Sequence, residues 1–471
     1  AAIRHLPRLA ELGVTLVEVM PVAAFPGERN WGYDAVFPFA VQHSYGGPTG
    51  LARFVDAAHR FGVGVMLDVV YNHLGPEGNV LGRFGPYFTY AHRTPWGDAV
   101  NVAEAASDGV RRYFIENAVG WIRDHHVDGL RLDAVHAIVD PTPIPFVQEL
   151  TRAVHAAARH EKRTALVTIE NSANDPRIVR PEGEHGWGCD AVWDDDVHHS
   201  LRVALTGERQ RYYRAYAGTA DLATAWERRW VYRGQYSPSF DRRHGAPADT
   251  IDHRHFIVFG TNHDHIGNTP AGRRLLADAD PADPRHRLGA SAILLSPFTP
   301  MLFMGEEYGE TAPFPYFVDH GDPDLVEAVR QGRQREFADA DWSGGVADPA
   351  DPATFESAVL DVTATEREPH RSRLAMYTEL IRLRRELPIL TDADARQDVS
   401  VVDDAVLVVR SLPGATASLV LNFSSGGFDH RAPDPAGDVV FDSNDERWGG
   451  PGWMADRVGP WSARLCVTSI P

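Results

Sequence analysis

Short apolar runs alternate with amphipathic segments along most of the chain. Apolar positions three or four residues apart predict helices at 1–12, 50–61, 108–125, 145–159 and 287–295, and a further helix containing His198 and His199. Apolar runs predict strands at 14–20, 63–70, 165–169, 191–193, 256–259 and 301–304. The alternation of Leu130 and Leu132 with Arg131 and Asp133 predicts a further strand that carries Asp133. Because strands and helices alternate, we predict an α/β fold, a (β/α)₈ TIM barrel, with a doubly wound sheet as the competing architecture.

The pattern also predicts two domains. The strand runs are one short of a closed barrel, so we expect the first barrel strand to be missing from this chain, just before Ala1. The catalytic barrel is assigned to 1–390, with an inserted excursion at 74–101 that is too long for an ordinary connection. Beyond Pro388, short apolar runs predict a small C-terminal all-β sandwich domain at 391–471, with strands at 405–409, 418–423 and 463–467.

Composition excludes several classes of partner. The chain of 471 residues is 43% hydrophobic and 24% charged, which is typical of a soluble globular protein. Its net charge of −19 argues against nucleic acid, and no apolar run is long enough for a membrane span. Cys189 and Cys466 are the two cysteines and lie far apart, which is typical neither of a disulfide framework nor of a zinc site. We therefore expect a cytoplasmic protein without cofactor or essential metal.

Charged side chains follow three of the predicted strands. Arg131 and Asp133 are two residues apart in a strand-like run, so both project from one face. Arginine holds a neighbouring carboxylate ionised and oriented, although a structural ion pair is the alternative interpretation. Glu170 and Asp264 follow two other strands. Two such carboxyls suffice for glycoside hydrolysis, one as nucleophile and one as proton donor, while a third binds sugar hydroxyls.

Neutral polar groups accompany these carboxyls at the same predicted barrel edge. His73 and His263 donate hydrogen bonds to sugar hydroxyls without adding charge, and Asn72 and Asn262 stand beside them. Tyr33 has two interpretations of equal weight, stacking on a pyranose ring and core packing. For each histidine alone, capping or core packing is the simpler interpretation, but their joint occurrence favours a site.

Four segments resemble the signature regions of the α-amylase family, glycoside hydrolase family 13, in the family's order. They are Asp68-Val69-Val70-Tyr71-Asn72-His73, Gly129-Leu130-Arg131-Leu132-Asp133, Ile169-Glu170 and Asn262-His263-Asp264. The resemblance implies Asp133 as nucleophile, Glu170 as general acid/base and Asp264 as stabiliser of the distorted sugar, with retention of configuration. It also implies that Arg131, His73 and His263 line the same subsite and that Asp68 is a structural carboxylate near Arg131.

Further segments resemble one subgroup of that family. They are the run 18–27, the run 71–79, the run 133–138 that contains His136, the run 305–310, Phe317-Val318-Asp319-His320 and the run 330–337. The resemblance implies an α-glucan substrate, in which the α-1,4 bond next to a terminal trehalose is hydrolysed. An isoamylase-type debranching enzyme or a branching enzyme is the alternative. Ile169, Asn171 and Thr261 depart from the family's usual residues and put subsite details in doubt.

Two hypotheses from other classes remain open on the sequence. Metal-dependent hydrolysis is suggested by His253-x-His255 and His263-x-His265, because barrels often hold zinc on such pairs. The first pair precedes its strand, which disfavours this hypothesis. A barrel that only binds sugar is the other, and the presence of all three carboxyls argues against it.

Overall fold

The structure is a computed structural model that describes residues 2–338, 345–429 and 437–468. These residues form two compact units. The first unit contains 2–193, 316–338 and 346–356, and the second contains 194–315, 357–429 and 437–468. The predicted domain limits at 1–390 and 391–471 stay a prediction, and 430–436 and 469–471 of the predicted C-terminal domain lie outside the described residues.

Five parallel strands form the centre of the first unit. They are β1 (Leu16–Val19), β2 (Gly64–Val69), β3 (Gly129–Leu132), β4 (Leu166–Ile169) and β5 (Ala191–Trp193), and they pair in that order. β2 and β3 are buried almost throughout, as their uninterrupted apolar sequences predict. In the register, Asp68 pairs with Arg131, and Arg131 pairs with Thr168, so these three side chains lie on one face.

Helices of the first unit alternate with these strands. They are α1 (Leu6–Leu12), α2 (Gly47–Arg60), α3 (Asp108–Asp124) and α4 (Phe146–His160). Gly13 ends α1 in the left-handed conformation that glycine tolerates. The excursion at 74–101 contains an antiparallel hairpin of Phe88–Thr94 and Gly97–Val100, and a second small pairing joins Ala23–Ala24 to Phe37–Val41. The alternation predicted from the sequence is therefore confirmed in this unit.

The second unit continues the alternation with a parallel strand pair. α5 (Asp195–Thr206), α6 (Thr219–Arg228) and a hairpin of Tyr236–Ser237 and Arg242–Arg243 precede β6 (Phe256–Phe259). α7 (His263–Gly267), α8 (Pro284–Leu294) and β7 (Thr299–Met301) follow, and β6 pairs with β7. The predicted seventh strand at 301–304 is displaced to 299–301, because the pairing of β7 with β6 ends at Met301 and Phe303 N then donates to the Glu306 side chain in a turn.

Three helices and a second sheet complete the described chain. α9 (Pro323–Glu336) and α10 (Pro352–Ser357) precede α11 (His370–Glu386). The sheet consists of β8 (Arg396–Val402), β9 (Ala405–Leu412), β10 (Ala415–Asn422), β11 (Asp438–Asp442) and β12 (Ser462–Val467). Its antiparallel order β8-β9-β10-β12-β11 confirms the predicted C-terminal all-β domain. Among the described residues, every helix is too short or too polar to span a bilayer.

Candidate active site

Arg131 is the central cation of the candidate site. It is fully buried, and its guanidinium Nη1 donates to Asp68 Oδ2 at 2.7 Å and to Asp133 Oδ1 at 2.8 Å. Nη2 donates to Glu170 Oε2 at 2.7 Å. The indole of Trp193 covers the guanidinium, with 4.2 Å from Cζ to the ring centroid. One arginine therefore fixes the direction of three carboxylates from three neighbouring strands.

Asp133 is held through both carboxylate oxygens. Oδ1 accepts from Arg131, and Oδ2 accepts from Asn72 Nδ2 at 2.8 Å. The same amide nitrogen donates to the Asp133 carbonyl at 3.0 Å, while Asp133 N donates to Val69 O at 3.1 Å. Asp133 is 8% exposed, so its carboxylate is oriented but still reachable at the end of β3. An oriented, ionised carboxylate is what a nucleophile at a sugar carbon requires.

Glu170 follows β4 and faces the chain that leaves β3. Its backbone N donates to Leu132 O at 3.0 Å, and its Oε2 accepts from Ala134 N at 2.8 Å as well as from Arg131. Ala134 has a φ of 40°, a conformation that non-glycine residues rarely adopt. Backbone strain of this kind is found where the surroundings fix a functional geometry, and here the turn aims an amide at the Glu170 carboxylate.

Tyr33 and His73 border the same carboxylates. Tyr33 Oη donates to Asp68 Oδ2 at 2.6 Å, and its carbonyl accepts from His73 Nε2 at 3.1 Å. The other ring nitrogen of His73 contacts the Asn72 side chain. Burial lowers the pKa of His73, which favours the neutral imidazole. His73 also stacks on Trp96 at 5.4 Å between ring centroids, a partner that the sequence did not identify.

Glu18 is an ionisable neighbour of the site that the sequence pattern did not identify. It lies in β1 opposite Met66, and Met66 shares the face of Asp68 two residues on, so Glu18 faces the same side as the site. Burial raises the pKa of Glu18 to about 8, against the opposing attraction of Arg131. Burial also raises the pKa of Asp68. A glutamate inside the apolar run of β1 was the available signal.

The second unit carries the remaining predicted residues. Asn262 caps α7, because its Oδ1 accepts from His265 N at 2.9 Å, and His263 and Asp264 occupy the first turn of that helix. His263 is buried, with Nε2 3.6 Å from Asp264 Oδ2, while the Asp264 side chain is 38% exposed. The structure therefore places an exposed carboxylate and a buried imidazole directly after β6.

Two buried, stacked histidines contact the segment that leads to Asp264. The His198 and His265 rings stack with 3.5 Å between centroids and 12° between planes. His198 Nδ1 donates to Gly260 O at 2.7 Å, and its Nε2 lies 3.1 Å from Tyr213 Oη. Burial lowers the pKa of both histidines far below the usual range, which favours neutral rings.

Other predicted residues lie outside these contacts. His136 is exposed in the turn Val135–Ala137 that follows β3. His253, from the alternative metal hypothesis, contacts Arg229 Nη1 at 2.9 Å and Trp226 O at 3.2 Å. Across 2–338, 345–429 and 437–468, no group of three or more His, Cys, Asp or Glu side chains converges as a metal site would require.

Comparison with known proteins gives consistent matches. A family model described as the catalytic domain of alpha amylase matches residues 2–84. The chain is 47% identical to malto-oligosyltrehalose trehalohydrolase of Arthrobacter ramosus, covering 84% of this chain and 69% of the relative. The enzyme of that name from Saccharolobus solfataricus is 43% identical, with 82% and 65% covered. The chain thus spans about two thirds of the length of these relatives.

Solved structures agree with this result. The crystal structure of an alpha amylase candidate from Salmonella typhimurium has a TM-score of 0.88 and 36% identity, covering 99% of this chain and 78% of the other. An alpha-amylase from Geobacillus thermoleovorans, at 17% identity and a TM-score of 0.63 over 99% of this chain and 91% of the other, shares the fold alone. These matches confirm the predicted (β/α)₈ TIM-barrel class.

Proposed function

This chain belongs to the malto-oligosyltrehalose trehalohydrolase family, and we propose that it is a retaining glycoside hydrolase that releases trehalose from maltooligosyltrehalose. The bond cleaved is the α-1,4-glucosidic bond next to the terminal trehalose. The observation that carries the proposal is the bonding of one buried guanidinium, that of Arg131, to Asp68, Asp133 and Glu170. Two cysteines without a disulfide and a net charge of −19 support a cytoplasmic location and a neutral glucan substrate.

In the first step, Asp133 attacks the anomeric carbon while the bond from that carbon to the trehalose oxygen breaks. Glu170 donates its proton to the departing oxygen, so trehalose leaves neutral and a glucosyl ester forms on Asp133. Glu170 Oε2 accepts two hydrogen bonds, from Arg131 and Ala134 N, which leaves Oε1 to carry the transferred proton.

In the second step, water attacks the same carbon and the ester bond to Asp133 breaks. Glu170, now ionised, takes the proton from the water, and two inversions give retention. Asn72 and Arg131 hold Asp133 in place during both steps. We assign sugar hydroxyl contacts to His73, to His136 and, in the second unit, to Asn262 and His263, with Asp264 stabilising the distorted ring and Tyr33 stacking on it.

The test is a side-by-side incubation with maltotriosyltrehalose and maltopentaose, with products identified by chromatography. We expect free trehalose from the first substrate and little cleavage of the second. Equal cleavage of both substrates would indicate a general α-glucan hydrolase without preference for a terminal trehalose. Linear maltooligosaccharides released from a branched glucan would favour a debranching enzyme, and new α-1,6 branches a branching enzyme.

The assignment of the nucleophile is tested separately. We expect Asp133→Asn to lower turnover of maltotriosyltrehalose by several orders of magnitude, because the amide cannot form the ester intermediate. Asp124→Asn is the matched control, since Asp124 is 55% exposed and pairs only with the neighbouring Arg123 in the contacts described for it. Turnover of Asp133→Asn within about tenfold of the unchanged protein would contradict the assignment.

A further inference from the structure

A cavity of about 440 Å³ lies within the second unit. It is formed by the end of α5, the segment after α7 and the first turn of α8. Ligand pockets for small molecules have volumes of about 300–1,000 Å³, so this space suits a metabolite rather than a single ion. None of the residues assigned to sugar or to catalysis above lines it.

The lining of this cavity is rich in arginine. Arg202, Arg273, Arg274 and Arg285 line it, against Glu208 and Asp278 as the lining carboxylates. Arg202 Nε pairs with Glu208 at 2.8 Å, and Arg273 Nη1 pairs with Asp278 at 2.9 Å. Arg285 Nη2 also pairs, at 2.7 Å, with Asp283 just outside the lining, so among the described residues Arg274 is left as the one excess positive charge of this cavity, in a chain whose net charge is −19. The cavity therefore attracts anions although the protein as a whole repels them.

Two of these arginines have buried nitrogens that lack an acceptor. Arg202 is 8% exposed, and its Nη1 finds no hydrogen-bond acceptor among the described residues. The Nη2 of Arg274 is buried and unsatisfied in the same part of the chain, although Nε and Nη1 donate to the carbonyls of Ala312 and Met304. Buried guanidinium N–H groups without an acceptor are costly, and an oxyanion satisfies them.

We propose that this cavity binds a phosphate ester of a small polar molecule, at a site that the hydrolytic reaction does not use. A phosphate group offers several acceptor oxygens in the geometry that guanidinium groups bind bidentately. The volume exceeds that of phosphate alone, and Thr206, Gln210 and Thr269 add hydroxyl and amide groups for the polar remainder of the ligand. A sugar phosphate has both parts.

The test is calorimetric titration of the full protein at constant ionic strength. Glucose 6-phosphate, inorganic phosphate and glucose are titrated separately to about 10 mM. We expect glucose 6-phosphate to bind at least tenfold more tightly than inorganic phosphate, and glucose to give no heat from this site. No binding of glucose 6-phosphate, or equal affinity for it and inorganic phosphate, overturns the proposal.

Two variants and one control test whether glucose 6-phosphate binds in this cavity. Arg202→Met removes an unsatisfied guanidinium, and we expect it to weaken glucose 6-phosphate binding at least tenfold. Because Arg202 is buried, Ala277→Trp provides a second variant: Ala277 is an exposed lining residue, and a large ring there narrows the cavity while all four arginines remain. Arg228→Met, 45% exposed and outside the lining, is the control. Unchanged binding in Arg202→Met and Ala277→Trp overturns the proposal.

Discussion

Replacing Arg131 with methionine tests the electrostatic core of the proposed active site. Methionine fills similar space but cannot donate the bonds to Asp133 Oδ1 at 2.8 Å and Glu170 Oε2 at 2.7 Å. Hydrogen bonds to charged groups contribute roughly 1.5–3 kcal/mol each, so losing two costs roughly 3–6 kcal/mol. If that loss falls on the transition state, kcat/KM decreases by about 10²- to 10⁴-fold.

The same substitution changes the pH dependence in a defined direction. Burial raises the pKa of Asp68 and of Glu18, and the positive charge of Arg131 opposes that rise. The carboxylates around Arg131, Asp133 among them, in turn keep the guanidinium protonated and raise its pKa. Removing the cation takes away the attraction that favours the ionised form of the site carboxylates. We therefore expect the acidic limb of the kcat/KM profile to move to higher pH, with partial recovery of activity above neutrality.

The assay is trehalose release from maltotriosyltrehalose across the pH range, with folding checked by circular dichroism. Arg111→Met is the matched control, because Arg111 is also buried and pairs with Asp140 and Glu149 at 2.8 Å, away from the site carboxylates. It should lower the unfolding temperature without moving the acidic limb. A folded Arg131→Met enzyme with kcat/KM within tenfold of the original, or with an unmoved acidic limb, would refute the reasoning.

Three further outcomes are expected. In the folded protein the pKa of Glu18 is about 8, above its usual 4.5. The folded state therefore favours protonated Glu18, and the protein loses stability as the pH rises from 4.5 to about 8. Glu18→Gln should therefore raise the melting temperature at pH 9 more than at pH 5, and an equal change at both would contradict this. His198→Leu should lower kcat at least tenfold with little change in KM, because the hydrogen bond to the Gly260 carbonyl is lost. His198→Asn retains a donor for this carbonyl and should keep much of the activity. An equal loss in both variants would argue that His198 does not position Asp264. A Cβ on Gly75 would lie 2.1 Å from the backbone oxygen of Asp34. Gly75→Ala should therefore lower the free energy of unfolding by about 1–3 kcal/mol, measured by denaturant unfolding. Gly109→Ala is the control and should not have this effect, because nothing lies within 4 Å of its Cβ position.

The sequence predicted the strands that carry the first-unit carboxyls because each is an apolar run ending in charge. β3 and β4 end directly before Asp133 and Glu170, and the structure brings both carboxylates to Arg131. Glu18 was missed because its neighbours define a buried strand, and only the pairing with β2 shows which face it occupies. Partners such as Trp193 and Trp96 are distant along the chain and carry no periodic signal.

The second sheet shows the same limit. The three strands predicted there, β9, β10 and β12, are the interior strands of the sheet, and the two missed strands, β8 and β11, are its edges. An edge strand needs fewer buried apolar side chains, and in β8 Val401 and Val402 are exposed. The displaced β7 is a related case, because the Phe303 ring packs against Phe314, with 5.1 Å between ring centroids, and does not belong to the strand.

The pairing of Asp68 with Arg131 on adjacent strands has a consequence for how such proteins change over time. A single-residue insertion or deletion within β2 or β3 would turn one of these side chains to the opposite face and break the ion pair at 2.7 Å. The hairpin of the excursion at 74–101 has no comparable constraint from this pairing. Insertions and deletions are therefore expected to accumulate in the connecting segments. There they would change how the glucan chain is accommodated, while the ion pairs of Arg131 keep their geometry.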